Sequence, residues 1–258
     1  MVGPRKGGTL PWVIPIAMTL GILVWEAVSR WSALPAFILP SPADVAYRFQ
    51  RALSDGSLIR HTVATLAEVL GGLALGLSVA TSLGYVLAKS RTMERLLAPF
   101  IVASQSVPVI AIAPLLVIWF GSGRLSKVLI SALIVFFPVL VNTVVGVRSV
   151  PEDLRDLMRS LRATRRQTFL KLEVPAALPV LFGGLKVGAT LSVIGAVVGE
   201  FLGADEGLGF LINMGRGVFD TALVFVAVFV LIALALLLYG VVTTVERRVL
   251  AWRDTPSE

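Results

Sequence analysis

Residues 221–245 read TALVFVAVFVLIALALLLYGVVTTV, without one charged side chain. About 20 such residues in a helix suffice to cross ~30 Å of hydrocarbon. The stretch therefore reads as a helix that spans a bilayer. Working outward, five more apolar runs precede it, at about 11–28, 65–88, 96–120, 128–147 and 176–202, and the one at 128–147 is also uncharged. The expected fold is an all-α integral membrane protein of six transmembrane helices.

The composition of the 258 residues agrees: 56% are hydrophobic and 15% charged, against roughly a quarter charged in a soluble domain. A disordered chain is excluded by the same balance. Without cysteine there are no disulfides, thiolate nucleophiles or Cys-held metals, and the single His61 leaves no material for a multi-histidine metal centre or a Ser-His-Asp triad. No paired intramembrane carboxylates with catalytic spacing appear, so no catalytic residue, metal or cofactor is expected.

Lys and Arg residues set the orientation, because short loops rich in them stay in the cytoplasm. With both termini inside, the inner segments hold fifteen and the outer segments seven, Lys127 counted among the latter. The first run follows Arg5 and Lys6 with no small-x-small cleavage site before Arg30, so it reads as an uncleaved span. The net charge of +7 is then a matter of topology and of contact with membrane lipids, and no nucleic-acid partner is expected.

Small residues recur at Gly72, Gly76, Ala80, Gly84 and Ala88, and again at Gly188, Ser192, Gly195 and Gly199. Such stripes let helix backbones approach closely in lipid, so both faces are expected to pack. Pro99, Pro108 and Pro114 interrupt the third run and Pro138 lies in the fourth, either as features of a pathway or as packing kinks. Between the first two runs, Val45, Phe49 and Leu53 recur every fourth residue after Pro40 and Pro42, which predicts a short amphipathic helix on the outer surface or a solvated loop helix.

Polar residues inside the runs are few. Gln105, Asn142 and Glu200, with Pro108 and Pro114, are candidates for a pathway or gate. Lys186 and Glu200 are about 21 Å apart along one helix and cannot bridge each other; Lys186 either snorkels to the inner surface or has a mechanistic role. Glu68 and His61, near the outer mouth, read as hydrated.

The inner loop 148–174 carries seven basic residues. Ser149 with Glu152 predicts a capping box, and Leu154, Leu157, Met158 and Leu161 follow as one apolar stripe. Thr164 with Gln167 predicts a second box and a second short helix, ended by Val174 before Pro175. Two short amphipathic helices on the inner face are a docking knob for a cytoplasmic partner or a solvated surface loop.

From Asp156 to Pro179 the sequence, DLMRSLRATRRQTFLKLEVPAALP, resembles the cytoplasmic loop of permease subunits of binding-protein-dependent ABC importers. Ile38-Leu39-Pro40-Ser41-Pro42, Pro114-Leu115 through Trp119-Phe120-Gly121, Phe137-Pro138 with Asn142-Thr143, and Gly199-Glu200 through Gly207-Leu208-Gly209 resemble the nitrate, sulfonate and taurine group of that family, and relatives assigned to thiamine-precursor or riboflavin uptake. The chain departs from the loop pattern of Glu-Ala-Ala, three residues, Gly: it has Asp156, Leu157, Met158 and then Arg162. The resemblance implies a type I ABC importer permease fold, N-in and C-in, as a single transmembrane permease domain over 1–258 with a cytoplasmic two-helix coupling loop. It also implies a bacterial inner-membrane homodimer, two cytoplasmic ABC ATPase subunits and an extracytoplasmic solute-binding protein. Asp156, Leu157, Met158, Arg159, Leu161, Arg162 and Ala163 would contact the ATPase. No G-x-x-x-x-G-K-[ST] loop occurs, so ATP would be hydrolysed by another chain. The alternative is a secondary carrier or channel without an ATPase.

Overall fold

The computed structural model describes residues 12–32, 34–105 and 107–253, and every regular element among them is helical. In chain order these are α1 (Val13–Trp31), α2 (Pro42–Ser54), α3 (Ser57–Lys89), α4 (Arg91–Gln105), α5 (Val109–Phe120), α6 (Arg124–Arg148) and α7 (Glu152–Ser160). After these, α8 (Arg165–Thr168) passes through a π-helical turn, Phe169–Glu173, into α9 (Val174–Phe201), and α10 (Leu208–Gly217) and α11 (Thr221–Val249) follow. Four helices are long and apolar enough to cross a membrane: α3, α6, the continuous rod Arg165–Phe201 and α11.

The third apolar run is two helices rather than one. The break falls at Pro108, which takes extended ψ (125°) and caps α5, while Pro99 and Pro114 are accommodated inside α4 and α5. Proline disfavours the helical conformation in the residue before it, so the break is local. At Pro175 the expectation fails in the opposite sense. The helix continues through it: the π-helical turn before it widens the hydrogen bonding, with Val174 N–H reaching Phe169 O, and the ring falls in the first turn of α9, where a missing N–H is tolerated.

α6 lies between α3 and α9, and both small-residue stripes face it. A Cβ on Gly76 would stand 2.7 Å from the Ala132 carbonyl oxygen, and one on Gly195 would stand 2.5 Å from Ser131 Cα. Neither position has room for a side chain, which is why the sequence is glycine there. Ser131 Oγ also donates to the Ser192 carbonyl at 3.0 Å, a bond between helices inside this seam.

At one end of the bundle a separate core joins Val45 and Ala52 of α2 to Leu58, Leu208, Leu211, Leu223 and Val226. α2 begins at a capping box, Ser41 with Asp44, and its expected stripe divides: Val45 is buried while Phe49 and Leu53 remain exposed. α1 is held by Trp25, which stacks on Phe225 at 5.4 Å and donates from its indole N–H to the Pro40 carbonyl at 3.0 Å. Elsewhere α1, α5 and α11 present large apolar side chains outward, among them Leu23, Ile118 and Leu236, as helices facing lipid do.

Candidate functional site

The loop between α6 and α9 is built from its caps. Ser149 does not form the expected box with Glu152; it ends α6, its hydroxyl donating to Gly146 O at 2.8 Å. Val150 and Pro151 intervene, so Glu152 is the first residue of α7 rather than the third and cannot reach back. The Thr164–Gln167 box does form. Gln167 N–H donates to Thr164 Oγ1 at 3.3 Å while Thr164 N–H donates to Gln167 Oε1 at 2.8 Å.

Between the two helices, Arg162 adopts left-handed backbone, φ 51°. Ala163 N–H bonds Met158 O at 2.9 Å and Arg162 N–H bonds Arg159 O at 2.9 Å. That pair of bonds is a Schellman motif, in which the left-handed position is usually glycine. Arg162 therefore takes the position that glycine usually fills, at a steric cost. The same motif recurs after α10, where Phe219 (φ 57°) takes the left-handed position and Asp220 N–H bonds Gly215 O at 2.8 Å.

α7 buries no residue, and the expected stripe faces outward, with Leu157 53% and Leu161 68% exposed and Met158 half-buried. Asp156 pairs with Arg159 at 2.7 Å on the same exposed surface. The base of the loop, in contrast, is tied to three helices. Buried Glu173 accepts from Tyr85 Oη at 3.0 Å and from Lys89 Nζ, both on α3. Arg155 donates to Val147 O of α6 at 2.9 Å. Arg148 forks onto both Glu94 oxygens, at 2.7 and 2.6 Å, and its hydrogen bonds hold the Glu94 carboxyl below the usual carboxylate range.

At the opposite end of α9 lies a buried polar cluster. Glu200, fully buried, accepts from Thr65 Oγ1 at 2.6 Å and from Gly209 N–H at 2.5 Å. Gly207 N–H donates to His61 Nδ1 at 3.0 Å and Leu208 N–H to Thr65 Oγ1 at 2.8 Å. The first N–H groups of α10 are thus capped by side chains from α3 and α9, and a carboxylate sits at the positive end of its dipole. Beside it, Glu68 pairs with Lys127 at 3.4 Å, both buried.

These contacts correct three sequence readings. Glu68 and His61 are buried partners rather than hydrated ends, and Lys127 is an interior cation rather than an outer-loop charge. Lys186 lies apart from Glu200, as expected, and pairs with Glu246 of α11. The fold supplies each partner from another helix, so no spacing within the sequence could have shown these pairs. The importance of Glu173 was missed for the same reason, its partners lying on α3. The pathway candidates do not converge. Asn142 donates to Pro138 O at 2.8 Å and abuts Gly184, about 24 Å along α9 from Glu200. Pro108 and Pro114 lie on α5, and the side chain of Gln105 is outside the described residues.

Residues 72–251 match the family model described as binding-protein-dependent transport system inner membrane component. The chain belongs to this family. Its relatives include the riboflavin transport system permease protein RibX of Chloroflexus aurantiacus, 50% identical over 93% of this chain and 89% of that protein. The formylaminopyrimidine transport permease protein ThiX of Halalkalibacterium halodurans is 39% identical over 90% and 92%. The taurine transport system permease protein TauC of Escherichia coli is 30% identical over 91% and 88%. Among solved structures, an inward-facing form of the MetNI methionine ABC transporter matches with TM-score 0.65 at 19% identity, over 74% of this chain and 95% of that one. The inner-membrane component is a multi-pass, all-helical protein with the fold of an ABC importer's membrane chain.

Proposed function

We propose that this chain is the transmembrane subunit of an ATP-driven importer, a homodimer in the bacterial inner membrane that receives its solute from an external binding protein. Six crossings with both termini inside follow if α1 and the broken α4–α5 pair cross beside the four long helices, and residues 1–258 then form one permease domain. The solute we infer is riboflavin or a related heteroaromatic compound, a choice supported by 50% identity to RibX and 39% identity to ThiX. The chain contributes the pathway; ATP is hydrolysed by two separate cytoplasmic subunits.

The observation that supports this reading best is the exposed apolar face of α7, set on a base bonded to α3, α4 and α6. A helix held rigidly from beneath and unpartnered above is suited to receive another protein. Leu157, Met158 and Leu161 would enter the ATPase surface, with Asp156, Arg159, Arg162 and Ala163 around them. ATP-driven closure of the motor would bring the two loops of the dimer together and rock the spans between inward-open and outward-open states. Gln105, Pro108, Pro114 and Asn142 are assigned to the pathway; Glu200, buried against Thr65 and Gly209, would act on a gate only through α10.

The test is ATP hydrolysis by the reconstituted complex. Leu157→Asp or Leu161→Asp is expected to abolish stimulation by the loaded binding protein while the permease remains folded in the membrane. Unchanged stimulation would remove the coupling assignment. Because the chain has no cysteine, Ser160→Cys and Asp205→Cys each supply a single labelling site. Labelling of the first from inside and the second from outside is expected, and the reverse would overturn the topology.

A further inference from the structure

Three cavities lie end to end along α3, the first beneath α7 and α8 and the other two against α9. The first, of about 590 Å³, is lined by Lys89, Arg155, Arg159 and Arg165, with Tyr85 and Glu173. The second, of about 420 Å³, shares Tyr85 and Glu173 and continues past Thr81, Phe169, Ala177 and Leu181. The third, of about 270 Å³, shares Thr81 and Leu181 and reaches Leu77, Phe182 and Leu185. Together they form one groove, cationic at the loop and apolar beyond, that follows α3 for about 18 Å from Lys89 to Leu77.

The charges at its mouth are not balanced. Lys89 is answered by Glu173 and Arg159 by Asp156, whereas Arg155 and Arg165 face no carboxylate among the described residues. Arg155 makes one hydrogen bond, to Val147 O, and its buried Nε makes none. The rest of the Arg155 guanidinium and that of Arg165 line the mouth without a carboxylate partner, and an anion there would supply charge-assisted acceptors.

We propose that the groove binds an anionic phospholipid of the inner leaflet, its phosphate against Arg155 and Arg165 and one acyl chain between α3 and α9. A free phosphate would use only the mouth, and the continuous apolar extension is what selects a lipid. Basic pockets beside spanning helices at the cytoplasmic surface are suited to such headgroups. The leaflet, though not the site, rests on the inward orientation of the loop proposed above.

The experiment measures phospholipid retained by the full chain after purification in mild detergent, by lipid mass spectrometry and by exchange against added lipids. Phosphatidylglycerol or cardiolipin is expected to be retained over phosphatidylcholine, and Arg155→Gln with Arg165→Gln to lower retention roughly tenfold or more. Arg247→Gln with Arg248→Gln, at the end of α11 and outside the groove, is expected to change nothing. Leu181→Trp, at a partly exposed position that lines both apolar cavities, is expected to weaken lipid retention but leave inorganic phosphate able to compete for the mouth. The proposal is overturned by equal retention in the Arg155/Arg165 variant, by equal retention of phosphatidylcholine, or by inorganic phosphate displacing the bound molecule as readily as lipid does. Leu181→Cys joining to the same position of a second copy would also overturn it, assigning the groove to the dimer. Retention is read whichever side the loop faces, so loop labelling from outside would fail the topology alone and move the lipid to the other leaflet.

Discussion

Arg162 shows how one side chain can depart from a pattern without undoing the structure it served. Its left-handed backbone closes the Schellman bonds of α7, and the cost is that of a Cβ crowding the carbonyl next to it. Arg162→Gly should therefore raise thermal stability by about 1 kcal/mol, measured as the unfolding midpoint in detergent, with binding-protein-stimulated ATP hydrolysis retained. Lys127 presents the opposite case. It is the cation paired with buried Glu68, next to the buried carboxylate of Glu200. Removing it strands charge in the interior, and Lys127→Met should cost about 3–5 kcal/mol, seen as loss of monodisperse protein. Glu68→Gln in the same chain should recover part of that loss, and an unrescued double variant would show that Lys127 acts through packing alone.

At the scale of elements, the helices were legible in the sequence wherever apolar length or small-residue spacing determined them. Residues 221–245 announced α11, and the Gly72 to Gly84 stripe announced a packing face, because hydrocarbon and close backbone contact each leave a local signature. Pro175 and Glu173 were not legible: whether a proline ends a helix depends on the turn before it, and Glu173 gains meaning only from Tyr85 and Lys89 across the bundle. The exposed stripe of α7 could be read from Leu154, Leu157 and Leu161, whereas the ATPase proposed to cover it came from the family resemblance and not from these residues. Gly195→Leu should separate α6 from α9 and abolish folded protein, whereas Gly183→Leu on the same helix, where an added Cβ meets nothing within 4 Å, should be tolerated; purified yield checks both. Two exposed ion pairs fasten the ends of helices, Glu94 with Arg148 and Glu206 with Arg60. Hydrogen bonds from these arginines hold both carboxyls below their usual range. The folded chain then binds fewer protons than the unfolded one, so their contribution is full above the ordinary carboxylate range near ~4.3 and fades as pH falls through and below it. The unfolding midpoint should decline over that window, and less steeply in a Glu94→Gln, Glu206→Gln chain.

Over the whole molecule, two polar assemblies mark the ends of an otherwise apolar bundle. One ties the loop between α6 and α9 to α3, α4 and α6; the other ties α10 to α3 and α9. The uninterrupted helix Arg165–Phe201 connects them, starting beside the loop's capping box and ending one residue past Glu200. At 1.5 Å per residue it is roughly 55 Å long. A push on its tip at the loop needs no relay of flexible joints to be felt at the other end. The stiff shaft would tilt as one body, so a small swing imposed below by a docked motor would reappear above as a shift of the plate formed by α10. The π-helical turn, with Pro175 and Pro179 just beyond it, lies next to where that force would enter.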